Sequence, residues 1–174
     1  MNEYQKIFKL ASVFLEYPER EWIENDGIRE EVTSLENRRV RKCYLRFLDG
    51  IEPETICETY VRTFDFSDKT TLYLTYPLFG DHRERGEALL KLKQEFREAG
   101  YPLLGNELPD YFPLVLEFAS MADPAASRKV LMIHKKGIDQ LLAGLEEINS
   151  PYRWVLRGCI YAIDSFFREN QAVS

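Results

Sequence analysis

Cysteine is scarce in this chain: Cys43, Cys57 and Cys159 are three residues in 174, far apart and odd in number. No two of them form a CxxC pair, which argues against a disulfide framework or a thiolate metal site and for reduced thiols packed among apolar neighbours. Histidine is rarer still. His82 and His134 fall on separate predicted helices, with no cysteine or carboxylate at ligand spacing, so no metal is expected. No segment reaches the ~18 uninterrupted apolar residues of a membrane span. The first twenty residues are broken by Lys6, Lys9 and Glu16, so they match neither a span nor a signal-peptide core, and the expected location is cytoplasmic. There is no glycine-rich phosphate loop, no GxSxG turn and no HExxH, which leaves no candidate catalytic residue and no expected cofactor. Basic charge is in the minority, 23 side chains against 29 acidic ones for a net charge of −6. That balance repels phosphate backbones, argues against nucleic acid as a partner and favours a basic peptide.

Helical periodicity is what the chain has in abundance. Tyr4, Ile7, Phe8, Ala11, Phe14 and Leu15 recur at three- and four-residue steps before Pro18, and Ile28, Val32 and Leu35 begin a second stripe after an Asn25-Asp26-Gly27 break. Val40, Cys43, Tyr44, Phe47 and Leu48 make a third over residues 37–49. Its other face carries Arg38, Arg39, Arg41, Lys42 and Arg46, which reads either as an anion site or as a solvated helix face. Pro53 is placed in the first turn of a helix bearing Ile56, Cys57, Tyr60, Val61 and Phe64. Asp81 and Glu84 have capping-box spacing for a helix that runs to Gly100. Glu107-Leu108-Pro109, Asp123-Pro124 and Ser150-Pro151 are three further helix starts. Residues 70–79 are rich in β-branched and aromatic side chains, but no second strand-like run exists to pair with them, so a short helix held by tertiary contacts is expected there. The fold class is all-α: one helical bundle domain over residues 1–174, with a long aromatic-rich loop around 65–82 and the last few residues disordered.

The candidate site lies in residues 60–118. Phe64, Phe66, Tyr73, Tyr76, Phe79, Tyr101, Tyr111 and Phe112 cluster in or beside loops, either as core under those loops or as the wall of a groove. Glu107 and Asp110 can stabilise a helix N-terminus, or can ring a groove and receive basic residues of a partner. Arg83 and Arg85 are two apart and cannot share a helix face, so one can anchor a carboxylate while the other faces solvent or a ligand. A helical adaptor with an acidic groove shares all these features. A nucleotide-binding protein using the two arginines is a weaker alternative, because Asp81 repels phosphate.

Four motifs occur in order: Tyr60-x-x-Thr63-Phe64-Asp65, Leu72-Tyr73-Leu74, Gly80-Asp81-x-Arg83-x-Arg85-Gly86-x-Ala88-Leu89, and Glu107-Leu108-Pro109-Asp110-Tyr111-x-Pro113-Leu114-x-Leu116-Glu117-Phe118. Together they resemble the NarJ-type respiratory nitrate reductase assembly chaperones, within the TorD/DmsD-like group of redox-enzyme maturation chaperones. Tyr111 stands where the wider group often has histidine. The resemblance implies a non-enzymatic chaperone without a permanent cofactor. Its expected partner is the apo catalytic subunit of nitrate reductase, recognised through an N-terminal peptide and kept competent for molybdenum cofactor and iron–sulfur insertion before membrane docking. Molybdenum cofactor biosynthesis proteins are further candidate partners, and self-association is left open. Carried over, the peptide-binding residues are Asp65, Leu72, Tyr73, Tyr76, Asp81, Arg83, Arg85, Glu107, Asp110, Tyr111 and Leu114. An amphipathic client helix would set its apolar face on the tyrosines and leucines and its basic residues against the carboxylates.

Overall fold

The computed structural model describes residues 1–24 and 26–169. Among them are ten helices: α1 Glu3–Leu15, α2 Arg20–Ile23, α3 Asp26–Ser34, α4 Arg38–Gly50, α5 Ile56–Phe64, α6 Tyr76–Phe79, α7 Arg83–Glu98, α8 Phe112–Met121, α9 Pro124–Glu147 and α10 Arg153–Glu169. Asn25 and residues 170–174, the expected disordered end, lie outside the described residues. No described helix is long and apolar enough to cross a membrane.

The helix starts that hold are those with a side-chain acceptor. Asn2 and Gln5 form a reciprocal capping box on α1, Asn37 accepts from the amides of Arg39 and Val40, and Asp123 accepts from Ala125 and Ala126. α1 packs between α8 and α10, α4 lies against α10, and α9 backs both α8 and α10. Apolar stripes on these helices meet in one core, where Ile7, Phe14, Leu15, Val40, Phe47, Leu116, Leu131 and Val155 have no exposed surface. An aromatic series crosses it: Phe14 to Phe47 at 5.1 Å, Phe47 to Tyr152 at 5.1 Å, Tyr152 to Phe64 at 4.8 Å and Phe64 to Tyr60 at 4.9 Å. Such ring pairs contribute about 1 kcal/mol each beyond the area they bury. The series ends at Tyr60, which brings it to the candidate site.

Several helix boundaries differ from the sequence expectation. Only Tyr76–Phe79 of the 70–79 stretch is helical, and Tyr73 instead forms an isolated antiparallel bridge with Tyr111. The pairing partner is too short to be read as a strand. The chain can lie this way because α9 presents glycine beneath it. A Cβ on Gly137 would stand 2.6 Å from the carbonyl oxygen of Leu74, and one on Gly144 would stand 2.7 Å from that of Lys69. The Asp81–Glu84 capping box does not form: His82 is the N-cap of α7 and gives no side-chain cap bond. Gly80 turns the chain there with φ 55°. α8 starts at Phe112 with Pro113, not Pro109, in its first turn. α5 starts at Ile56, after a turn that contains Pro53, and α10 at Arg153, after a turn in which the Ser150 hydroxyl accepts from the Tyr152 amide.

Candidate functional site

Two loops meet in the bridge between Tyr73 and Tyr111. The Leu74 amide donates to the Asp110 carbonyl at 3.0 Å, and the Phe112 amide donates to the Leu72 carbonyl at 2.8 Å. Adjacent residues of an extended segment point to opposite sides. Leu72 and Leu74 accordingly turn into the core, 4 % and 1 % exposed, while the half-buried Tyr73 faces the other way. Leu72 is therefore packing rather than groove wall.

Asp110 is also internal. It is 0 % exposed, and its Oδ2 accepts from the Thr75 amide at 3.1 Å, the Thr75 hydroxyl at 2.5 Å and Arg85 Nη2 at 3.5 Å. Arg85 Nε donates to the Thr75 hydroxyl at 3.1 Å, and its guanidinium lies 5.3 Å from the centre of the Tyr76 ring. Four residues expected at a peptide rim or beside it thus divide differently. Asp110, Arg85 and Tyr76 form an internal clamp on the loop, while Arg83 projects into solvent and pairs with Glu87 at 3.4 Å. Asp81 is exposed in the turn before α7. His134 of α9 lies near the clamp: burial pushes its imidazole down to about 4, with Asp110 pulling in the opposite direction. His134 Nε2 and Asp110 Oδ1 are both buried without a protein hydrogen-bond partner.

On the outer side, the Tyr73 and Tyr111 rings sit 5.3 Å apart, and the Tyr73 hydroxyl donates to Glu107 Oε1 at 3.0 Å. The Leu108 amide donates to the same oxygen at 3.0 Å. Tyr111 meets the Tyr60 hydroxyl at 3.5 Å, and Tyr60 donates to the Leu15 carbonyl at 2.9 Å, which ties the pair to the aromatic series of the core. Negative charge surrounds these phenols. Burial pushes Tyr111 up and Glu107, Glu16 and Asp65 push it further, while Tyr73 is raised to about 12 by burial and the bond to Glu107. Glu16 is itself raised, first by burial and then by Glu117, which pairs with Lys9 at 2.9 Å.

Beside this acid-ringed tyrosine pair opens a cavity of about 380 Å³ between α7, α8 and residues 101–107. Phe96 and Phe118, 4.4 Å apart, line it with Leu103, Leu114 and Met121, and Glu107 and Glu117 stand in its wall. Gly100, at φ 87°, turns the chain out of α7, and the Tyr101 hydroxyl donates to the Met121 carbonyl at 2.9 Å, closing one side. Leu104 stands 96 % exposed in the lining.

Of the residues expected from the sequence, the structure brings together Tyr73, Glu107 and Tyr111 by direct contact, Leu114 through the cavity and Asp65 through its charge. It adds Glu16, Glu117, Leu103, Leu104, Phe118 and Met121. The run Leu103-Leu104, apolar yet outside any helical period, is a readable signal, and Glu117 crowds the same segment as Glu107 and Asp110, whereas Glu16 looks like an ordinary helix-surface residue until α1 packs on α8. The described residues contain no cluster of histidine, cysteine and carboxylate able to hold a metal. An apolar hollow with a carboxylate margin is complementary to an amphipathic segment that carries basic residues.

Residues 37–156 match the model of the family described as nitrate reductase delta subunit. The chain is 36% identical to the probable nitrate reductase molybdenum cofactor assembly chaperone NarJ of Bacillus subtilis, over 94% of this chain and 91% of that one. It is 30% identical to the nitrate reductase molybdenum cofactor assembly chaperone NarJ of Escherichia coli K12, over 82% of this chain and 63% of the other. It is also 34% identical to the nitrate reductase-like protein NarX of Mycobacterium tuberculosis H37Rv, over 84% of this chain but only 22% of that longer protein.

Proposed function

The chain belongs to the nitrate reductase delta subunit family, and on that premise we propose that it is an assembly chaperone for the catalytic subunit of a nitrate reductase. It is not an enzyme. In this reading it captures the N-terminal peptide of the apo subunit, holds the subunit open while molybdenum cofactor and an iron–sulfur cluster are inserted, and releases it in the cytoplasm before membrane docking. The observation that carries the reading is the juxtaposition of the Tyr73–Tyr111 pair with the apolar cavity, joined by Glu107. A client helix would place apolar residues at three- and four-residue steps over Leu114, Phe118 and Met121, and basic residues toward Glu107, Asp65, Glu16 and Glu117. A segment disordered when free loses conformational entropy on docking, which limits its affinity and allows release.

The test is calorimetric titration of the N-terminal peptide of the catalytic subunit from the same organism at two salt concentrations. One-to-one binding that weakens with salt is expected, with a loss of about tenfold in the double variant Asp65→Lys/Glu107→Lys. Binding unchanged in that variant removes the acidic rim from the reading, and no binding at either salt removes the peptide as client.

A further inference from the structure

The basic run of α4 takes no part in the site described above. Arg39, Lys42 and Arg46 follow one another at steps of three and four residues, so they form one row roughly 10 Å long on the helix surface. α10 packs against α4 in the opposite direction: the Arg39 guanidinium lies 5.7 Å from the centre of the Tyr161 ring, and that of Arg46 lies 4.5 Å from Trp154. Arg157 and Arg153 stand against the same indole at 4.7 and 5.1 Å. Two helices thereby gather five cations on one face of a chain whose net charge is −6. Burial pushes the Cys43 thiol up while Arg157, Arg46 and Lys42 all pull it back. Arg157 is paired with Glu146 at 2.6 Å, and Arg153 donates to the carbonyls of Asn149 and Ser150, whereas Lys42 and Arg46 are exposed.

A guanidinium laid on an aromatic face is held in place while its N–H edges stay open to solvent, so less side-chain freedom remains to be lost when an anion binds. The ligand must suit a row rather than a point, because one phosphate meets two such side chains and leaves the others without a counter-charge. It must also dispense with stacking. With three guanidiniums within 5.1 Å of its centre, the Trp154 indole has no face left for a nucleobase, the contact on which single-stranded nucleic acid sites are built. We propose that the α4–α10 face docks an acidic segment of a partner protein, its Asp and Glu carboxylates lying along Arg39, Lys42 and Arg46 with Arg153 and Arg157 at the side. This surface is separate from the one assigned to the client peptide, so both can be occupied at once.

The experiment is fluorescence anisotropy of a labelled octaglutamate peptide at low ionic strength, with the full chain and with the variants Lys42→Ala/Arg46→Ala and Lys42→Arg. The wild type is expected to bind and the double variant to lose about tenfold or more in affinity, while Lys42→Arg, which keeps the row charged, stays within about threefold. No binding by the wild type, or equal binding by the double variant, overturns the proposal. Unlabelled oligothymidylate of equal charge displacing the peptide at equal or lower concentration would mark a nucleic acid surface instead. Inorganic phosphate displacing it at equal concentration would mark a single-anion site, and either result also overturns the proposal.

Discussion

Asp110 and Glu107 stand three residues apart in one motif and do opposite work. Asp110 has no exposed surface and holds Thr75 and Arg85, whose side chain is itself only 17% exposed. Asp110→Asn leaves a partly buried guanidinium without its counter-charge, and a loss of about 3 kcal/mol is expected from urea unfolding midpoints. Glu107→Gln, at an exposed position, is expected to change stability by no more than about 0.5 kcal/mol while weakening the client peptide. His134 adds a pH dependence. Its folded-state value of about 4 lies below the ordinary 6.5, so between those two values the unfolded chain takes up a proton that the folded chain does not. The neutral imidazole's contribution is therefore complete above about pH 6.5 and is lost as pH falls toward 4, on the order of 3 kcal/mol in all. Unfolding midpoints measured at pH 7 and pH 4.5 should differ less in His134→Gln than in the wild type, and an unchanged difference would assign the acid sensitivity to other groups.

At the scale of elements, what could be read from the sequence depended on how local the cause was. α1, α4 and α9 carry their own stripe and their own cap, so their starts at Glu3, Arg38 and Pro124 follow from nearby residues. Residues 70–82 do not, because their path is set by two glycines of α9 and by Asp110, all more than 25 positions further along the chain. The same holds for the site. Tyr73, Glu107 and Tyr111 are legible through an ordered set of motifs, but Asp110 reads as a helix-start or groove-rim carboxylate because nothing in its neighbourhood announces Thr75 as its partner. The glycine seat makes a direct prediction. Gly137→Ala places a methyl group 2.6 Å from the Leu74 carbonyl oxygen, so the loop must move off α9. A loss of about 1–3 kcal/mol is expected. Client-peptide affinity should fall in the same variant, although residue 137 lies beneath the loop rather than in the docking face, whereas Gly86→Ala, inside α7 where a Cβ meets nothing within 4 Å, should leave affinity unchanged and raise stability by about 0.5–1 kcal/mol.

At the scale of the whole molecule, two surfaces of opposite character stand apart. Glu16, Asp65, Glu107 and Glu117 surround the tyrosine pair and the cavity, and the cations of α4 and α10 line a separate seam. The aromatic series through Phe14, Phe47, Tyr152, Phe64 and Tyr60 joins the helices that carry both. The contacts that tie the tyrosine pair to the rest of the chain are distant in sequence: Tyr60 with Leu15, Tyr73 with Glu107, Thr75 with Asp110. Closing such loops costs entropy before any contact rewards it, so these contacts are expected to form late, with φ-values near zero at Tyr73 and Thr75 as the check. During synthesis, a growing chain that has exposed α1 to α7 still has no docking face. On the proposed function, that face is completed only when Tyr111 has emerged and α9 has followed to support Leu74, so an unfinished chain is expected not to sequester a client peptide.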